Sequence, residues 1–186
     1  VSKLQLSNLK AHLYKQILIS LRLNPQHKNV KLHIRGQLDF ATILYQKGLY
    51  KQSLKILDKA KSFALKYDEN ASAYEIVEFE KLIESLYVTR SLSNRTNELV
   101  SQTNHLKEQN DIYSNLSNIS LQLYEKLIKA GYAKSDIEST DINQFFNKKI
   151  KSFKVEELGF RETLIYYQIW VWYSLLVQDF LSSYRY

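Results

Sequence analysis

The chain reads as an all-α protein built from antiparallel helix pairs, and three observations point there. Its 186 residues include four glycines and one proline, too few for the many tight turns of an all-β fold. Leu, Lys, Gln, Glu and Ala are common, and these residues lose little freedom in a helix. Apolar residues recur at three- and four-residue steps along most of the chain, which lines one side of successive helices. Apolar residues make up 45% and charged residues 24%, the balance of a folded chain rather than a disordered one. The length suits one domain, residues 1–186, with a sizeable core.

A first helix is expected from about Lys3 to Leu23, where Leu6, Leu9, Leu13, Ile17 and Leu21 form an apolar stripe. Asn24-Pro25 ends it, because the residue before proline avoids the helical region. A second helix over about Lys28–Lys47 directs Leu32, Leu38, Ala41 and Leu44 inward. The turn Lys47-Gly48-Leu49-Tyr50 follows, with Gly48 free to take the left-handed conformation that closes a helix. A third helix over about Tyr50–Tyr67 directs Leu54, Leu57, Ala60 and Ala64 inward, and small Ala41 and Ala60 let the two helices approach closely.

Asp68-Glu69-Asn70 reads as a turn. Helix four, about Ala71–Arg90, places Tyr74, Val77, Leu82, Leu86 and Tyr87 on one side, and Ser91–Asn94 reads as a loop with Ser93 or Asn94 as a cap. Between Arg95 and Ala130 the apolar spacing is near 3.5 and crosses polar Glu108-Gln109-Asn110-Asp111. One long helix or two shorter ones both fit. A break near Asn110 is favoured, with Asp111 as the cap of the second. Ala130-Gly131-Tyr132 is a second glycine turn, Ser135–Asp141 reads as a loop, and a short helix covers about Ile142–Lys151. The last helix starts near Phe160, with Tyr167 and Trp170 facing inward and Trp172 on another face. Gln178-Asp179-Phe180 then stands where a further turn falls, with Ser183 at the next small position.

Residues 34–67 carry small, apolar and glycine residues in a recurrent pattern: Ala41, Leu44, Gly48, Tyr50, Ser53, Leu54, Leu57 and Ala60. This stretch resembles a tetratricopeptide repeat, a 34-residue helix-turn-helix unit. The resemblance implies degenerate repeats stacked as a right-handed α-solenoid, with a concave face lined by the first helix of each pair. It implies a noncatalytic scaffold that binds a protein or peptide, or the sensor region of a larger regulator. On the matching repeat the groove positions are Arg35, Leu38, Thr42, Tyr45 and Gln46. Leu38 and Thr42 stand where the family's carboxylate-binding variety has Lys and Asn. The sequence opens on Val1 and contains no Met, so a fragment of a longer chain is expected, with a cytoplasmic location.

Charge is unevenly spread. Residues 1–66 carry thirteen Lys/Arg against Asp39 and Asp58, a net +11. Residues 67–186 carry thirteen basic and seventeen acidic residues, a net −4. Lys51, Lys55, Lys59 and Lys66 lie along one side of helix three, with Lys61 elsewhere. Such a stripe is a solvated face, an acidic-protein contact or an electrostatic nucleic-acid interface, the last being the alternative function. Lysine reads phosphate geometry less well than arginine, and helix three has no arginine.

No cofactor is expected. The absence of cysteine removes disulfides, thiol catalysis and cysteine-based metal sites. His12, His27, His33 and His105 include no pair at helical metal-site spacing. Glycines 36, 48, 131 and 159 are isolated, so no phosphate loop or nucleophile elbow exists. Glu75, Glu78, Glu80 and Glu84 cluster on helix four and are read as a solvated acidic face. Leu164–Val177 is apolar but too short to span a bilayer. The aromatic residues of this last helix are read mainly as packing, with Trp172 as a candidate hot spot for a partner.

Overall fold

A computed structural model describes residues 3–23, 29–87 and 93–185, with side chains described at 6–23, 29–86 and 95–185. Eight α-helices occur among the described residues: α1 (Lys3–Leu23), α2 (Val30–Gln46), α3 (Tyr50–Lys66), α4 (Asn70–Tyr87), α5 (Ser93–Ala130), α6 (Asp136–Ile150), α7 (Phe160–Leu176) and α8 (Phe180–Ser183). A 3-10 turn at Val155–Glu157 lies between α6 and α7, and no strand occurs among the described residues. Consecutive helices pack against one another, α2 on α3, α3 on α4 and α4 on α5, and α2 also touches α4. The arrangement is all-α and solenoid-like.

One turn recurs three times. After α2, Gly48 has φ +75°, its N–H donates to the Tyr45 carbonyl (2.9 Å), and the Leu49 N–H donates to the Leu44 carbonyl (2.9 Å). This pairing closes a helix around one left-handed residue. Asp68 after α3 has φ +54° and Gln178 after α7 has φ +62°. The same two bonds form there, Asp68 to Leu65 with Glu69 to Ala64, and Gln178 to Leu175 with Asp179 to Ser174. A small residue then closes the first turn of the next helix at equal spacing: Ser53, Ala73 and Ser183 each donate their N–H four residues back, to Leu49, Glu69 and Asp179. The buried Ser53 hydroxyl also donates to the Ala41 carbonyl (2.8 Å), which ties α3 to α2.

Two cores form among the described residues. The first holds Ile34, Leu38 and Ala41 of α2, Leu57, Ala60 and Ala64 of α3, Ala73, Ile76, Val77 and Ile83 of α4, and Leu99 and Leu106 of α5. The second holds Leu116, Ile119 and Leu123 of α5, Phe146 and Ile150 of α6, and Ile169 and Leu176 of α7. Helix α5 therefore serves both. It is one helix of 38 residues, not two helices broken near Asn110. Its polar middle marks the place where the buried face rotates around the axis, from the Leu99-Thr103-Leu106 side to the Leu116-Ile119-Leu123 side. Nothing there blocks helical hydrogen bonding, so the backbone continues.

Other boundaries differ from expectation. Ser93 and Asn94 fall inside α5. Residues 135–141 are not a loop: α6 begins at Asp136, and the Ser135 hydroxyl caps it by accepting from the Glu138 N–H (3.3 Å). The expected helix end at Asn24-Pro25 lies outside the described residues. The inward face of α4 is Ala73, Ile76, Val77, Glu80 and Ile83, whereas Leu82 and Leu86 are exposed. Leu32 of α2 is exposed as well, and Ile34 takes the core position beside Leu38. Helix α1 is extreme: every described side chain from Leu6 to Leu23 is exposed, and an Arg22–Asp39 ion pair joins its end to α2.

Candidate functional site

The packing of α2 beside α4 creates a continuous face. Arg35, Asp39, Thr42 and Gln46 recur at helical spacing on α2 and are exposed, and exposed Glu75, Leu82 and Leu86 recur at the same spacing on α4 with half-buried Glu78. Two contacts fix the pairing of the helices. The Arg35 Nη1 donates to Glu75 Oε1 (2.8 Å) across the face, and Tyr45 meets the Phe79 ring edge-on at 5.5 Å beneath it. Lys31 lies 3.7 Å from Glu69 at the start of both helices.

Of the five groove positions expected on α2, the structure gathers Arg35, Thr42 and Gln46 on this face. Leu38 is 7% exposed and belongs to the first core, although the Thr42 hydroxyl donates to its carbonyl (2.8 Å). Tyr45 is half-buried between Phe79 and Tyr50, the latter at 5.6 Å, so its ring is packing first and lining second. Sequence reasoning set Leu82 and Leu86 on the inward side of helix four, left Asp39 unassigned, and read Glu75 and Glu78 mainly as a solvated acidic face. Their phase was obscured by Glu80, which occupies a core position and makes Leu82 and Leu86 look like the apolar stripe.

The face mixes charge and apolar surface. Asp39 pairs with Arg22, Glu75 with Arg35, and Glu78 accepts from Lys81 (2.7 Å). The first two pairs are exposed and the third is half-buried, so a partner can replace the exposed two at little cost. Leu82 and Leu86 are 46% and 57% exposed and give the face an apolar end.

The four α4 carboxylates are thus spread over different surroundings. Glu80 is fully buried and accepts from Lys61 Nζ (2.7 Å), with Arg95 at 3.5 Å. Burial pushes the Glu80 carboxyl up from its ordinary value, and the hydrogen bond and charge of Lys61 pull it part of the way back. Glu84 lies 4.0 Å from the same Arg95. Among the described residues no group of His, Asp and Glu is placed to hold a metal ion.

The remaining candidates lie elsewhere. Lys51, Lys55, Lys59 and Lys66 are all exposed on α3, Lys66 standing over the Tyr67 ring at 5.7 Å. Lys61 of the same helix is buried against Glu80. Trp172 is half-buried against Tyr124, ring centres 5.2 Å apart. The two rings line a groove of about 340 Å³ between α5 and α7, with Ser117, Ser120, Leu121, Ile165 and Gln168. Trp170 packs against Phe146 and Tyr173 in the second core, while Tyr167 is 37% exposed. No helix of the described residues is long and apolar enough to cross a membrane.

In comparisons with protein-family models, with curated proteins and with solved structures, nothing matches this chain.

Proposed function

We propose that the chain is a noncatalytic scaffold that binds a protein or peptide segment on the α2–α4 face, as tetratricopeptide repeats do. The observation that carries this reading is the exposed Arg35–Glu75 pair spanning two parallel helices, with Leu82 and Leu86 exposed beyond it. Such a surface offers a polar register along its length and an apolar seat at one end, which suits an extended or helical segment with an apolar anchor. The recurrent Gly48, Asp68 and Gln178 turns support a repeat architecture of the tetratricopeptide kind.

The test is selection from a random peptide library displayed on phage, with the chain as bait. Sequences enriched on the wild type are expected to lose binding roughly tenfold or more on Leu86→Asp and on Arg35→Glu. Both changes lie on exposed positions, and because Arg35→Glu also removes the tie to Glu75, circular dichroism and thermal unfolding of each variant are matched to the wild type before binding is read. Enrichment that ignores both variants would remove the α2–α4 face from consideration.

A second reading rests on Lys51, Lys55, Lys59 and Lys66, four exposed cations along α3. An electrostatic nucleic-acid interface there would give affinity that falls steeply with salt. Titration with mixed single- and double-stranded oligonucleotides at low salt decides it, since absence of binding leaves the peptide reading alone.

A further inference from the structure

We propose that the outer side of α3, with the row of rings at its end, is a binding site for single-stranded nucleic acid: lysines hold the phosphates and a ring stacks a base. The inference rests on the nucleic-acid reading of the lysine stripe and adds the type of strand and a stacking contact. At about 100° per residue, Lys51, Lys55, Lys59 and Lys66 fall within about 80° of one another around the helix. They lie on the side away from buried Ser53, Leu57, Ala60 and Ala64. All four lysines are exposed, and none forms an ion pair with a carboxylate among the described residues. Lys61 of the same helix is different, its charge being met by Glu80 and Asp58. Asp58 is the only acidic residue of α3. The four open cations therefore present a field that an external polyanion can neutralise. At a rise of about 1.5 Å per residue the stripe is about 22 Å long, enough for about four nucleotides, the low end of a single-strand site.

The rings stand beside the stripe, on its α2 flank. His33 of α2, Phe63 of α3 and Tyr67 at the end of α3 form a row with ring centres 4.8 Å and 4.7 Å apart. Phe63 is half-buried and packs on the first core, while His33 is exposed and Tyr67 is 46% exposed. Lys66 Nζ lies 5.7 Å from the centre of the Tyr67 ring, so the last cation of the stripe adjoins the outermost ring. A ring braced from behind keeps its orientation before a ligand arrives, which lowers the ordering cost of binding.

Cations alone fit any polyanion, and the rings narrow the choice. A base in a duplex is already stacked on its neighbours, and a glutamate side chain or a phospholipid headgroup has no flat π-face. Only an unpaired base uses both the cations and the rings. Lysine is a point charge rather than a bidentate fork, which suits tracking a backbone without reading its sequence.

Fluorescence anisotropy with a labelled mixed-sequence strand of about twelve nucleotides, as DNA and as RNA, measures binding to the whole chain. The form bound more tightly identifies the source of the strand, and binding of either supports the site. Log affinity against log salt should fall with a slope of about −2 to −3, each phosphate contact contributing about −0.7. Lys55→Gln combined with Lys59→Gln should make that slope shallower by about 1.4. Tyr67→Leu keeps apolar contact with Phe63 but should weaken binding about tenfold at unchanged slope, and Tyr67→Phe should restore it. An abasic strand of equal length should bind the wild type as weakly as the intact strand binds Tyr67→Leu. Circular dichroism of each variant is matched to the wild type first. Equal affinity for intact strand, abasic strand and duplex, with losses on the lysine changes alone, would overturn the stacking site and leave a purely electrostatic surface. Displacement of the strand by polyglutamate of equal charge would do the same. A wild type that binds no strand at low salt, or binding that ignores the lysine changes, would remove the site and the nucleic-acid reading together.

Discussion

Glu80 has no exposed surface, and its Oε2 accepts from a Lys61 that is itself 5% exposed. Its Oε1 is buried without a hydrogen-bond partner. Such a pair gains little over apolar residues of equal volume, because desolvation consumes the Coulombic attraction, but half of it is costly to keep. Glu80→Gln removes the buried counter-charge of the Lys61 ammonium, leaving it only the exposed Asp58 carboxylate at 3.7 Å, and should destabilise the fold by about 3 kcal/mol. Lys61→Met combined with Glu80→Leu should be neutral or stabilising. Urea unfolding of the three proteins checks this, and equal losses from the single and double changes would contradict it. The pH sign follows from the raised Glu80 carboxyl. A group whose native pKa lies above its unfolded value binds more protons when folded, so its own contribution favours folding as pH falls toward 4.5. Asp179 runs the other way: hydrogen bonds from Ser182 lower it, and its contribution is lost as pH falls through its native value.

At the scale of elements, the pattern of the chain revealed the α2–α3 hairpin, the Gly48 turn and the start of α7, because each is carried by residues with one physical meaning. Gly48 is the residue that adopts a positive φ without steric cost. Ala41 and Ala60 are buried where close approach was expected. The α4 face was not legible, because a buried glutamate broke its apolar stripe and a lysine from α3 had to be placed beside it first. Half of the candidate site followed from α2 alone, and the rest depended on knowing the phase of α4. Helix α5 misled for another reason: its polar middle marks a rotation of the buried face, and a one-dimensional pattern cannot tell that from an interruption. Asp111→Pro separates the two. Asp111 is exposed, so the change acts on the backbone. Inside a continuous helix it should cost about 3 kcal/mol or more, with Asp111→Ala as the nearly neutral control. At the first turn of a separate helix proline would be tolerated. Thermal unfolding of both variants is the measurement, and a proline variant as stable as the alanine variant would argue for two helices.

For the whole molecule, the question is what makes two cores behave as one body. Helix α5 runs through both, and a second tie crosses from α7 to the α3–α4 turn. Arg161 donates to the Asp68 carbonyl (3.1 Å) and to Glu69 Oε2 (3.2 Å), and its guanidinium lies 5.1 Å from the Tyr113 ring centre of α5. Lys31 of α2 reaches the same Glu69. One side chain thus contacts the last turn of the first core and the helix shared with the second. Hydrogen bonds to charged groups are worth about 1.5–3 kcal/mol each when partly shielded, so Arg161→Ala should lower stability by about 2 kcal/mol. Its more specific consequence concerns cooperativity. Both tryptophans, Trp170 and Trp172, pack against the second core, so their fluorescence reports that core alone, whereas circular dichroism at the helical band reports all helices. In the wild type the two signals should follow one denaturant curve. In Arg161→Ala they should part, with the tryptophan transition displaced from the helical one, because α5 alone then joins cores whose stabilities differ. Coincident curves in the variant would mean that the continuity of α5 suffices to couple them. That outcome would assign the Arg161 contacts a local role in seating α7 against the α3–α4 turn.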